Sequence, residues 1–246
     1  IEHLKKVLFN VHGYAYLWKK LFNLLEKKST KQDYIDCCHK SVEQNRHDPD
    51  ILCYAGENLL KHGSESEKEI AQHYLRKAFE LSPNEQYIVM TYIDNLIDTE
   101  QYEAALSVTN DFAEREAVNY ALTRKIAILC KLNRDGQGLE IYNEMIMNEE
   151  SDYWCLNQSF ISLNEKFSFE ELAHVFKDNI TSLTRQQSYF YTDKCLYLDN
   201  NNHYKNVLKE IKSYRNGEQW VGAFLALLEF WNEKEITPPD HVVDSF

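Results

Sequence analysis

Between Ile70 and Leu106 the apolar positions follow a helical rhythm broken at two places. Ala71, Leu75, Ala78 and Phe79 recur at helical spacing, and Leu81-Ser82-Pro83-Asn84 then ends the run. Proline lacks the N–H that would continue the helix, and it restricts the residue before it. Val89, Tyr92, Ile93 and Leu96 form the next stripe. After the polar turn Asp98-Thr99-Glu100, Tyr102, Ala105 and Leu106 open a third helix.

The same rhythm runs along the rest of the chain. Leu4, Val7, Leu8 and Val11 predict a short leading helix that ends near Gly13. Trp18, Leu21, Phe22 and Leu25 share one face of a helix from Tyr14 to Lys27, and Ser29-Thr30-Lys31-Gln32 reads as the turn after it. Asp33 to Asn45 is the partner helix, closed by His47-Asp48-Pro49-Asp50. Leu52, Ala55, Gly56 and Leu59 mark the next helix, followed by a long turn from His62 to Glu69. Ile126, Ala127 and Cys130, then Gly138, Leu139, Tyr142 and Met145, give a further pair around the turn Asn133-Arg134-Asp135-Gly136. Past Ser151 the stripes continue through Leu156, Phe160 and Leu163, then Phe169, Leu172, Ala173 and Phe176. Later stripes hold Tyr191, Cys195 and Leu198, then Tyr204, Val207, Leu208 and Ile211. Trp220 to Trp231 reads as a final helix and Thr237-Pro238-Pro239 as an extended tail.

These paired helices resemble the tetratricopeptide (TPR) repeat, a helix–turn–helix unit of about 34 residues with small residues at the helix crossing and a proline at its end. Gly56 stands at the small crossing position, and the unit from Gln86 to Asn119 keeps the family spacing. The resemblance implies an all-α, right-handed superhelical solenoid of about six helix pairs. Residues 1–13 would be a leading helix, 14–218 the solenoid, and 219–246 a capping helix and extended tail. It further implies that the first helix of each pair lines a concave wall that takes an extended peptide. On that wall stand Tyr87, Met90 and Asp94, then Arg124, Ile128 and Lys131, then Trp154, Asn157 and Ile161. Each triplet is spaced three and four residues apart, so that it shares one helix face. A subclass of the family clamps the C-terminal carboxylate of a chaperone. Lys19 and Asn23 match its first-unit pair, but Tyr54, Tyr87 and Thr91 replace its other polar groups, so half of the clamp is missing.

Composition narrows the function further. The 246 residues carry a net charge of −12, opposite to the clustered Lys and Arg that a phosphate backbone requires. The one basic concentration, Lys19, Lys20, Lys27, Lys28 and Lys31, reads as a solvated helix end. None of the six Cys forms CxxC, and most lie in apolar stripes, which suits reduced, buried thiols and a cytoplasmic setting. The longest uncharged apolar run, Trp220 to Leu228, is too short to span a bilayer. The chain starts at Ile1, and the expectation is a piece of a longer polypeptide.

Candidate chemistry is sparse. Cys37-Cys38-His39 offers adjacent cysteines that point about 100° apart on a helix, a poor start for a tetrahedral zinc site. Gly136-Gln137-Gly138 reads as a plain turn between helices, with neither a strand before it nor a Walker lysine. Asn157-Gln158-Ser159 and Asn179-Ile180-Thr181 are formal glycosylation acceptors placed in or beside helices. No nucleophile–base pair is visible, and no metal or cofactor is expected. The sequence therefore reads as a non-catalytic scaffold for a protein or peptide partner, with no nucleic acid and no membrane. The alternatives are the TPR arm of a larger enzyme, such as a bacterial glycosyltransferase or protease, and a peptide-sensing regulatory module. Partner identity and oligomeric state are not encoded.

Overall fold

The computed structural model describes residues 1–28, 30–113, 119–148 and 150–179, together with 183, 184, 186, 187, 190, 191 and 194. Among these residues the chain is all-α, with no strand. In order, the helices are α1 (Glu2–Leu8), α2 (Ala15–Lys28), α3 (Lys31–Gln44), α4 (Pro49–His62), α5 (Glu65–Leu81), α6 (Gln86–Asp98), α7 (Tyr102–Ala113), α8 (Asn119–Lys131), α9 (Asp135–Met147), α10 (Tyr153–Leu163) and α11 (Phe169–Asp178). They divide into two compact units, with the boundary between Phe112 and Ala113. The expected capping helix and tail of residues 219–246, and the stripes from Cys195 onward, lie outside the described residues.

Local chemistry sets the helix ends, and it moves several of them from where periodicity put them. The hydroxyl of Thr30 accepts the Asp33 N–H at 3.2 Å, so α3 begins inside the expected turn. Asp48 caps α4 by accepting the Ile51 N–H at 3.1 Å, with Pro49 in the first turn. That proline therefore opens α4 rather than closing the pair before it, since the first turn needs no N–H from it. The long turn expected from His62 to Glu69 is mostly helix. The Glu67 carboxylate accepts the Ser64 N–H, which supplies half of a capping box, and α5 starts at Glu65. Gly136 and Gly138 likewise fall within α9 instead of a turn between helices. The left-handed residue that ends α8 is Asn133, at φ 56°.

In the first unit each helix from α1 to α6 packs on its neighbour in the chain, and α2 and α4, then α4 and α6, also meet across the pairs. A helix with one apolar stripe can bury it only against a neighbour. Each helix from α2 to α6 contacts at least two others. Ile51, Leu52, Cys53, Ala55 and Leu59 of α4 are all at or near zero exposure, and they pack with Trp18, Leu21, Phe22, Ala71, Leu75 and Ile88 in one core. The tightest approach is at Gly56. A Cβ there would lie 2.8 Å from Leu75 Cγ and 3.1 Å from the Ala71 carbonyl oxygen.

The second unit repeats the pattern with α8, α9 and α10 in mutual contact and α11 on α9. Its core is richer in aromatic rings: Tyr142, Phe160, Phe176, Phe190 and Tyr191, with Phe176 and Tyr191 stacked at 5.2 Å. The buried Gln187 amide donates to the Ile146 and Asn148 carbonyls at 2.7 and 2.9 Å, tying residue 187 to the end of α9. The Tyr142 hydroxyl is fully buried and has no hydrogen-bond partner among the described residues.

Two outcomes follow for stability. Gly56→Ala forces α4 and α5 apart and should lower unfolding free energy by about 1–3 kcal/mol, the usual cost of overpacking a tight core. Tyr142→Phe removes an unpaired buried hydroxyl, so stability should hold or rise by up to about 1 kcal/mol. Urea unfolding followed by circular dichroism measures both. A neutral Gly56→Ala, or a strongly destabilised Tyr142→Phe, would contradict the packing described.

Candidate binding surfaces

On the first unit, side chains from α2, α4 and α6 converge around two tyrosines. Asp50, Tyr54 and Glu57 follow one face of α4, and Tyr87, Thr91, Asp94 and Asp98 follow one face of α6, each set at helical spacing. The Tyr54 and Tyr87 rings lie 5.6 Å apart between centroids. The Lys19 ammonium reaches over from α2 and stands 4.7 Å from the Tyr54 ring and 5.0 Å from the Tyr87 ring. The Tyr87 hydroxyl donates to the Glu57 carboxylate.

The electrostatics match this geometry. Burial raises the Tyr87 phenol far above its ordinary value, and the hydrogen bond to Glu57 and that residue's charge push the same way. Desolvation also raises the Asp50 carboxyl, helped by Asp48 and Glu85 and opposed by Lys19. Along α6, burial raises Asp98, with Asp94 one turn earlier as the second cause. Beneath the rings, burial pushes the Cys53 thiol up to about 12.

On the second unit, Tyr120 of α8 packs against Trp154 of α10, with ring centroids 5.4 Å apart. The Tyr120 hydroxyl points at Asp152, whose charge is the main cause raising that phenol. Asp152 also accepts the Cys155 N–H at 2.8 Å and so starts α10, which presents Trp154 in its first turn. Trp154 is 44% and Ile161 55% exposed, two turns apart on the same face of α10. Asn157 stands half-buried between them. Arg124 donates to the Tyr120 carbonyl at 3.4 Å, and Lys131 is exposed at the end of α8.

Seven of the nine residues expected to face a partner reach the surface: Tyr87, Asp94, Arg124, Lys131, Trp154, Asn157 and Ile161. The other two face inward. Met90 is 7% exposed and Ile128 0%, because each is an apolar side chain beside its helix's buried stripe, next to Val89 on α6 and Leu129 on α8, and burial removes that surface from water. The first triplet belongs to one unit and the other two to the second, so the surfaces are separate features here. Tyr54 and Tyr120 were absent from the expected set. A signal for them was present, since tyrosine recurs every 33 residues at 54, 87, 120 and 153.

Cys37, Cys38, Cys53, Cys130 and Cys155 are free and buried. Among the described residues no group of three or more His, Cys, Asp or Glu has a metal-holding arrangement, and no helix is long and apolar enough to cross a membrane. Asn157 lies inside α10 with Ser159 buried beside it, and the acceptor at Asn179 runs into residues outside those described. No protein-family model matches the chain, and no curated protein matches its sequence. What the structure defines is the class: among the described residues the chain is all-helical, and within each unit most helices pack on their neighbours in the chain, compatible with a helical repeat.

The buried thiols set an alkaline limit on stability. Unfolded cysteines ionise from about pH 8.5, whereas burial holds Cys130 to about 11 and Cys37, Cys53 and Cys155 to about 12. Between those values the folded chain binds more protons than the unfolded one, so stability falls as pH rises. The urea midpoint should drop steadily above about pH 9. A flat midpoint to about pH 11 would mean that the thiols titrate normally.

Proposed function

We propose that this chain is a tetratricopeptide-like scaffold without catalytic activity of its own. It binds a partner protein or peptide on the exposed side of the first helices of its pairs. Within each unit the contacts of α4 with α5 and α6, and of α8 with α9 and α10, support paired helices wound as in that family. The free thiols suit a reducing, cytoplasmic setting.

One observation carries the reading. Tyr120, Trp154 and Ile161 are all exposed large apolar side chains, and α8 and α10, which bear them, pack on each other. Aromatic side chains on a rigid frame are the groups that most often dominate binding energy. Because folded helices hold them in place, little ordering entropy is lost when a partner docks. Arg124, one turn after Tyr120 on α8, adds a cation beside this apolar stripe.

The test is a pull-down with the chain as bait, followed by affinity measurement for the captured partner. Trp154→Ala should weaken binding by about 2 kcal/mol, roughly thirtyfold, and Arg124→Glu should also weaken it. Helicity and melting should be unchanged, since both side chains reach the surface. Two folded variants that bind as tightly as the parent would place the partner elsewhere.

A further inference from the structure

Lys19 occupies an unusual place for a surface lysine. Its ammonium lies over two tyrosine rings at once, 4.7 Å from Tyr54 and 5.0 Å from Tyr87. The faces of such rings attract cations, and two faces around one ammonium form the simplest aromatic cage. Glu57 accepts from the Tyr87 hydroxyl beside the rings, Asp50, Glu57 and Glu85 all lie near enough to raise the Tyr54 phenol, and Lys19 is near enough to Asp50 to oppose the rise of its carboxyl. Tyr87 remains 36% exposed, which leaves part of its ring open to an incoming group. Lys19 itself is exposed and reaches the rings on a flexible four-carbon stem, so it can leave at small cost.

We propose that the Tyr54–Tyr87 pair is a binding site for a lysine side chain of a partner peptide, and that Lys19 is the chain's own occupant, displaced when the partner's ammonium enters. The occupant is cationic because the frame is acidic. With Lys19 withdrawn, the ring faces would lose the ammonium that stands over them, while Glu57 stays hydrogen-bonded to Tyr87 beside them. Asp94 and Asp98 continue the acidic face along α6, one and two turns beyond Thr91, so further basic residues of an extended segment would meet carboxylates there. The inference deepens the scaffold reading and rests on it for the occupant being a peptide. It also explains the departure from the carboxylate clamp. Where that clamp has polar groups, Tyr54 and Tyr87 supply ring faces, and Lys19 is turned onto them rather than toward an anion.

The experiment titrates the folded chain with two acetylated and amidated octapeptides, one alternating glycine and lysine and the other glycine and glutamate, by calorimetry at low salt. The parent should bind the lysine peptide and not the glutamate peptide. Lys19→Met keeps the stem and removes the charge, and it should tighten the lysine peptide about fivefold, the scale of one cation–π contact. Tyr87→Leu should weaken it about tenfold, whereas Tyr87→Phe, which keeps the ring, should stay within about twofold of the parent. Circular dichroism confirms that each variant is folded. Unchanged or weaker binding in Lys19→Met, indifference to Tyr87→Leu, preference for the glutamate peptide, or no binding by parent and Lys19→Met alike would each overturn the inference. None of these variants touches α8 or α10, so partner capture through Trp154 succeeds or fails independently.

Discussion

Where α4 crosses α5, the missing side chain of Gly56 lets Leu75 and the Ala71 backbone approach within the space a methyl group would fill. That closeness sets the first unit's layer spacing. With the two helices in contact, Ala55, Leu59, Ala71, Leu75 and Ala78 are sealed from water, and the opposite flank of α4 is free to meet α2 and α6. Interiors packed at this density transmit displacements, so widening one crossing would move the side chains carried on α4 as well. Tyr54 and Glu57 are among them, two and one positions from Gly56. The helical glycine of α9 is less constrained. A Cβ on Gly138 would meet Leu163 and Ile126 at ordinary contact distance.

The same packing explains how a chain with so few conventional site features can offer binding surfaces. Helices flanked on two sides bury their apolar stripe and leave a strip that reaches the surface. On α6 that strip holds Tyr87, Thr91, Asp94 and Asp98; on α10 it holds Trp154, Asn157 and Ile161. Core packing thus selects which side chains face outward and holds them rigidly. The two units carry different chemistry on these strips. The first is acidic around a tyrosine pair, and the second is aromatic and aliphatic with Arg124 and Lys131 on α8.

Much of the fold was legible because helical periodicity is a local property. The stripes Trp18-Leu21-Phe22-Leu25 and Leu156-Phe160-Leu163 are the buried faces of α2 and α10, and Pro83 follows the end of α5 as expected. The helix boundaries were less legible. Thr30, Asp48 and Ser64 each act through a hydrogen bond to a backbone N–H or a carboxylate three residues ahead, and this extends a helix into polar sequence that periodicity reads as turn. Polar residues near a helix start look the same in a turn and in a cap until the backbone geometry is known.

The sequence by itself determined that the described residues are helical, which face of most helices is apolar, and that Pro83 follows the end of a helix. Each of these is a matter of spacing within one helix or one turn. Only the tertiary structure decided that Met90 and Ile128 turn inward while Trp154 and Ile161 stay exposed, since which flank of an apolar stripe a neighbour covers depends on where the helices cross. It alone brought Lys19 over Tyr54 and Tyr87, and Tyr120 against Trp154. These groups lie on different helices more than thirty residues apart in the chain, and their meeting is fixed by the crossing of those helices rather than by any local pattern.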